Sequence, residues 1–243
     1  MHVLHKYFTK RKPGGEIEMK RSLYFAAFAF FAMLALVNTG AEAVSSSLAE
    51  RFAFAGAVQT GESGTYNFDK AHTFIGFKVK HMGLVEVPGF FRDFTGTVSY
   101  DAKDPGKSTV EFTAKATSVD TGVVGRDTHL RSADFFEVEK FADLTFKSTK
   151  VEKAGAGWMV TGNFTLKGVT KTISLPFNVA GFLPADQRSG GKMGITAETT
   201  INRRDYGVNY GGNMPNGTAM LSDEVKINLQ IEANRPKEVP KAQ

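Results

Sequence analysis

Gly125 to Phe146, GRDTHLRSADFFEVEKFADLTF, packs Arg126, Asp127, His129, Arg131 and Asp134 close together. Histidine beside carboxylates is material for a metal site or for general acid–base work, and arginine beside carboxylates makes charge-assisted corners. Spacing argues against the first use. Asp127 and Asp134 lie two before and five after His129, offsets that do not share a helical face. His72 and His81 stand nine apart on one extended segment, so roughly 30 Å of chain separates them and they face opposite sides. There is no HExxH, no His-x-His, no Gly-x-Ser-x-Gly and no cysteine. Thiolate metal sites, thiol nucleophiles and disulfides are therefore excluded, and no catalytic residue, metal or cofactor is expected. Two uses of the cluster stay open. One is a hydrogen-bonded corner. The other is a polar rim at a cavity mouth, meeting a polar or anionic head group. Arg203, Arg204 and Asp205 in TINRRDYGV form a second cluster that could share that rim. The rim candidates are His81, Arg126, Asp127, His129, Arg131 and Arg204.

The elements that must position these residues have a period of two. HTFIGFKVKH sets Ile75, Phe77 and Val79 against Lys78 and Lys80. Similar alternation runs through RDFTGTVSYD, STVEFTAKAT, LTFKSTKVEK, WMVTGNFTLKG, VTKTISLPFNVAGF, MGITAETTIN and EVKINLQIEA. That makes eight one-sided strands, with Gly, Pro, Asn and Asp clustered between them. Short links imply antiparallel neighbours, closing as a barrel or stacking as a two-sheet sandwich. The apolar faces repeatedly carry small residues: Gly96, Ala114, Ala116, Gly162, Gly181 and Ala197. An eight-stranded barrel with small inward residues can hold one ligand, although glycine also serves bends and bulges. The period fails only in the polar stretch. There Asp127 is expected to cap one helical turn with Leu130 on its buried side, and Asp134 a second carrying Phe135, Phe136 and Val138. Such a crossover would lie across an open barrel end.

The ends read differently. Met19-Lys20-Arg21, the apolar run Leu23–Val37 and the small residues Ala41 and Ala43 form a signal-peptide pattern, with Met19 a candidate start and cleavage expected after Ala43. Fifteen apolar residues fall short of the roughly 20 that a spanning helix needs. The expected location is the periplasm, with no stable membrane span after cleavage. Residues 1–43 hold six Lys/Arg and three Asp/Glu of the chain's 30 and 25, so the remainder carries 24 against 22, a formal charge of +2. The pI of 9.3 thus belongs largely to the leader, and nothing argues for nucleic acid. Residues 44–64 read as a flexible segment, 65–233 as one barrel domain, and 234–243 as a polar tail.

The ordered motifs YNFDKAHTFIGFKVKHMG, VPGFFRDFTGTVSYD, SVDTGVVGRDTHLRSADFFEVEKFADLTFKST, VTGNFTLKGVTKTISLPF and TINRRDYGV resemble the YceI-like family of bacterial periplasmic proteins, over about Thr65 to Ala233. The resemblance implies an all-β fold, an eight-stranded antiparallel lipocalin-like barrel with a short helical crossover. It also implies a long apolar pocket that takes polyisoprenoid or similar amphiphilic chains. Asp127, His129, Leu130, Arg131, Asp134 and Phe135 match the family pattern, as do His72 and His81, and no catalytic role comes with them. Ile75, Phe77, Val79, Val98, Phe112, Phe146, Trp158, Phe164 and Phe177 are the expected lining. The expected function is a non-enzymatic carrier. Its partner would be an amphiphilic small molecule, with a homodimer left open as its assembly. An enzyme or redox accessory acting on an isoprenoid quinone-like ligand is the alternative, and it would need His81 or His129 as its acid–base group. A barrel filled solid by its own side chains is the third reading.

Overall fold

The computed structural model describes residues 60–237; the expected signal segment, most of 44–64 and the end of the tail lie outside them. Eleven strand segments follow in order: β1 Gly64–Phe68, β2 Phe74–His81, β3 Val85–Phe91, β4 Phe94–Tyr100, β5 Thr109–Lys115, β6 Val119–Asp120, β7 Asp143–Ala154, β8 Gly157–Leu166, β9 Val169–Leu183, β10 Lys192–Asn202 and β11 Leu221–Asn234. The helix α1, Val124–Arg131, lies between β6 and β7.

The eleven segments make eight barrel strands. β1 and β2 both run antiparallel to β11, with Asn67 opposite Asn234 and Phe74 opposite Gln230. They are two halves of one long strand, interrupted at residues 69–73. β3 and β4 form the second long strand, pairing with β2 above and β1 below. β5 and β6 form the third, pairing with β4 and β3. β7 to β11 follow as an antiparallel meander, and the pairing of β1 with β11 closes the ring. Sequence alternation found the eight long runs but missed β1, β3 and β6. β1 and β6 are only five and two residues long, and in β3, VEVPGFF, adjacent Pro and Gly break the alternation.

The hairpin links are tight. His81–Leu84 is a turn whose central residues, Met82 (φ 50°) and Gly83 (φ 72°), are both left-handed, and Leu84 N–H donates to the His81 carbonyl at 2.9 Å. At the lower end, Arg235 fastens both termini of the domain. It donates to the Gly190 carbonyl at 2.8 Å and the Ser63 carbonyl at 3.3 Å, and pairs with Glu62. The domain thus extends slightly beyond 65–233 on both sides.

The ring is not closed in the same way along its height. β5 pairs with β7 from Glu111–Lys147 to Lys115–Asp143, and β6 above pairs only with β3. The α1 crossover fills the resulting seam. Leu130, Phe135, Phe136 and Val138 pack into the main core there with Phe91, Leu144, Leu166 and Val208. Asp127 does not cap the helix. α1 starts at Val124, and Asp127 sits buried in its first turn, accepting from Thr121 N at 2.9 Å and Thr121 Oγ1 at 2.5 Å. Asp134 does not start a second helical turn either, because residues 132–140 form successive non-helical turns. The reversal after Arg131 brings Asp134 back onto His129, Oδ2 to Nε2 2.7 Å, which helical spacing alone had argued against.

Candidate functional site: the barrel lumen

The inward faces enclose a cavity of about 590 Å³ running through the lower and middle barrel. A second cavity of about 370 Å³ adjoins it beneath α1, and Phe77, Phe91, Leu144, Phe164, Ile201 and Ile227 wall both. Of the nine lining residues expected from sequence, Ile75, Phe77, Val98, Phe112, Phe146, Trp158, Phe164 and Phe177 line the larger cavity. Val79 lines the upper one, again with Phe77 and Phe164. The lumen is therefore not filled solid.

The small inward residues serve two purposes. A side chain on Gly96 would strike the Phe68 ring, and one on Gly162 would lie 2.5 Å from both the Phe146 ring and the Lys147 carbonyl. These glycines seat neighbouring aromatics against the wall. Ala197, by contrast, faces the cavity itself.

Polar groups are sparse and sorted by height. Thr199 lies mid-lumen. The lower mouth carries Thr60, Ser108, Lys153 and Asn178, with the Lys153 ammonium 4.9 Å from the Trp158 ring centroid. The upper cavity carries His81, Arg126, His129, Arg203 and Tyr210. Among the described residues no Asp or Glu lines either cavity. A ligand inside would meet apolar wall along its length and cationic or neutral donors at the ends. No carboxylate is present there to act as base or metal ligand.

The expected rim divides. His81, Arg126 and His129 line the upper cavity. Arg126 is also tied to the Thr121 hydroxyl at 2.7 Å and carbonyl at 2.8 Å, and His129 lies edge-on to Phe135 and Tyr210 at 5.0 and 4.6 Å. Asp127 and Arg131 belong to the corner instead. Arg131 donates to the Thr117 and Val119 carbonyls at 2.7 and 2.8 Å, satisfying the strand edge that β7 leaves unpaired. Arg204 is also placed away from the lumen, bound to Asp223 at 2.5 Å and the Gly211 carbonyl at 3.1 Å. Its neighbour Arg203 is the inward residue, only 4% exposed. It donates to the carbonyls of Val208 and Ser222 at 2.7 and 2.9 Å and to Asp223 at 3.2 Å. Burial and the adjacent Arg204 charge lower its pKa from the ordinary guanidinium value. Strand parity points to Arg203, since Ile201 is inward on β10.

Lys153 was missed for the opposite reason, a reversal of parity within its strand. Before the bulge at Ser148–Lys150, the even residues Leu144 and Phe146 face in; after it, Val151 and Lys153 do. His72 lies outside β2, in the 69–73 excursion, with Nδ1 3.0 Å from Asp69 and 3.9 Å from Glu232. This is the one carboxylate–histidine group with metal-like proximity among the described residues. It sits outside the lumen, and Lys192 already neutralises Glu232 at 2.5 Å. The contacts of His72 and Asn234 hold the Asp69 carboxyl at about 2, below its ordinary 3.8.

Comparison with known proteins agrees with this architecture. A UPF0312 protein of Shewanella sp. strain ANA-3 is 43% identical over 166 residues, covering 68% of this chain and 83% of the relative. The solved YceI protein of Campylobacter jejuni superposes with a TM-score of 0.55 at 32% identity, over 70% of this chain and 96% of that one. A polyisoprenoid-binding domain from Saccharophagus degradans, implicated in plant cell wall breakdown, shares the fold with a TM-score of 0.51 at 18% identity, over 72% of this chain and 100% of that one. The YceI-like domain itself matches residues 66–233, from within β1 nearly to the end of β11 and so around the ring, and the chain therefore belongs to the YceI-like family.

Proposed function

We propose that the protein is a non-enzymatic periplasmic carrier, exported by cleavage after Ala43, that holds a long apolar chain of isoprenoid type inside its barrel. One observation carries this reading: the lumen is long and apolar, and no carboxylate lines it among the described residues. Apolar surface costs roughly 25 cal/mol per Å² in water, and a lined tunnel removes it without a charged partner. The polyisoprenoid-binding description of the Saccharophagus domain, which shares the fold, supports the same ligand class. Lys153 at one mouth, and His81, Arg126 and Arg203 near the other, suit a polar or anionic head group.

Organic extraction of the purified protein followed by mass spectrometry tests the reading directly. A co-purified or added isoprenoid is expected. Filling the lumen with Ala197→Trp should abolish its uptake while the barrel stays folded. Failure to recover or bind any apolar chain would refute the proposal. His81→Ala and His129→Ala are expected to leave chain binding intact.

A further inference from the structure

The two barrel ends present different surfaces. Three segments meet at the upper end: 82–85 (MGLV), 121–125 (TGVVG) and 207–220 (GVNYGGNMPNGTAM), and none contains Asp, Glu, Lys or Arg. They are physically joined. Met82 N–H donates to the Met220 carbonyl at 2.9 Å, and Thr121, Tyr210 and Met220 share the wall of the upper cavity with His81 and Val87. From these segments project Leu84 and Val124, 79% and 82% exposed, together with Val85 and Val123. Of the eight exposed large apolar residues among the described residues, these four and Tyr210 stand here. A cluster of this kind beside a cavity mouth marks an interaction surface.

Charge says what the surface meets. Arg126, His81 and His129 line the mouth and Lys80 stands exposed beside it. Four acids flanking these segments have partners: Glu86 pairs with Lys226, Asp120 with Arg92 and Asp134 with His129, and Asp127 accepts from Thr121. The lower-end loops carry charges of both signs, Asp101, Lys103, Asp104, Lys107, Asp186 and Arg188, where the three upper segments carry none.

We propose that the upper end docks on a bilayer surface carrying anionic phospholipid. Leu84, Val85, Val123 and Val124 enter the headgroup–acyl boundary, the basic side chains face the lipid phosphates, and the apolar chain enters and leaves through the upper cavity. The docking step stands on the surface itself; the transfer step rests on the lumen reading above. A mouth held against the bilayer spares the chain a passage through water, and four aliphatic side chains give reversible, not permanent, attachment.

Flotation with phosphatidylcholine vesicles, with and without phosphatidylglycerol, tests the docking. The chain is purified from Val44 onward, so that the apolar run Leu23–Val37 does not itself bind lipid; the closed barrel lies wholly within that span. Wild type is expected to float with the anionic vesicles. Leu84→Glu/Val124→Glu, at positions with little packing to lose, should bind at least about tenfold less. Leu183→Glu, at an exposed apolar position of the lower end, should bind like wild type. A fluorescent prenol should pass from vesicles to wild type faster than to the double variant, while both take it up equally from detergent. Absence of vesicle binding by wild type, or equal loss in Leu183→Glu, would overturn the docking. So would concentration-dependent self-association that the double variant abolishes without any lipid binding, since a second copy would then cover the face. Vesicle binding without prenol uptake from detergent would support docking and sink only the lumen reading.

Discussion

The lower half of the barrel is closed by backbone and the upper half by side chains. Below, β4, β5, β7 and β8 pair along backbone ladders, with one bulge in β7, and Tyr66, Val98, Met193 and Ala233 form a buried cluster beside the cavity. Above, the seam beside β6 is bridged by Arg131, and the β10–β11 connection is held by Arg203. A ladder spreads its strength over many bonds, and an arginine fork concentrates it in one residue. The two halves should therefore respond differently to single substitutions, and the upper half is where local opening can occur without unfolding the ring.

The largest test strikes the lower half. Met193 is 1% exposed, and Met193→Ala should cost about 2–5 kcal/mol in denaturant unfolding, as one cooperative transition. A small or biphasic loss would show that the lower cluster does not anchor the ring. Arg203→Ala comes next. It orphans two carbonyl acceptors and should cost about 2–3 kcal/mol, with faster amide exchange concentrated in residues 203–221. Arg131→Ala should cost about 1–2 kcal/mol and raise exchange in β6 and α1, with β8 to β10 unchanged. Uniform loss of protection around the whole ring would break the proposed contrast.

The smallest effect is expected from the joint between β1 and β2. The Asp69 carboxyl titrates at about 2 in the folded chain and near 3.8 when free, chiefly through its hydrogen bond with His72. A depressed folded pKa contributes stability that is fully present above about pH 4–5 and is lost as pH falls toward about 2. The contribution should not exceed about 1–2 kcal/mol. Asp69→Asn should flatten that part of the acid-unfolding curve, and an unchanged curve would assign the acid response to other carboxylates.

Much of the site was legible because a strand's side chains alternate strictly. Once Phe77, Phe112 and Phe164 were read as inward, their neighbours two apart followed, and all nine lining residues reach the lumen. Legibility failed where alternation is interrupted. The bulge in β7 reversed parity and hid Lys153, whereas the parity of β10 carries past Ile201 to Arg203 and marks it off from Arg204. The polar crossover was recognisable as an interruption, but its caps were not: Asp127 is held by Thr121 just ahead of the helix, and Asp134 meets His129 only after the chain doubles back.

What the sequence determined by itself is local and periodic: one apolar face per strand, turn residues between, and no thiol or paired-histidine chemistry, because these depend on residue type and spacing of a few positions. What only the tertiary structure decided is long-range. Ring closure depends on β1 meeting β11, the seam depends on α1 lying where β6 and β7 part, and the choice between a filled core and an open lumen depends on how far apart eight strands hold their side chains. No spacing along one strand encodes the distance across a barrel.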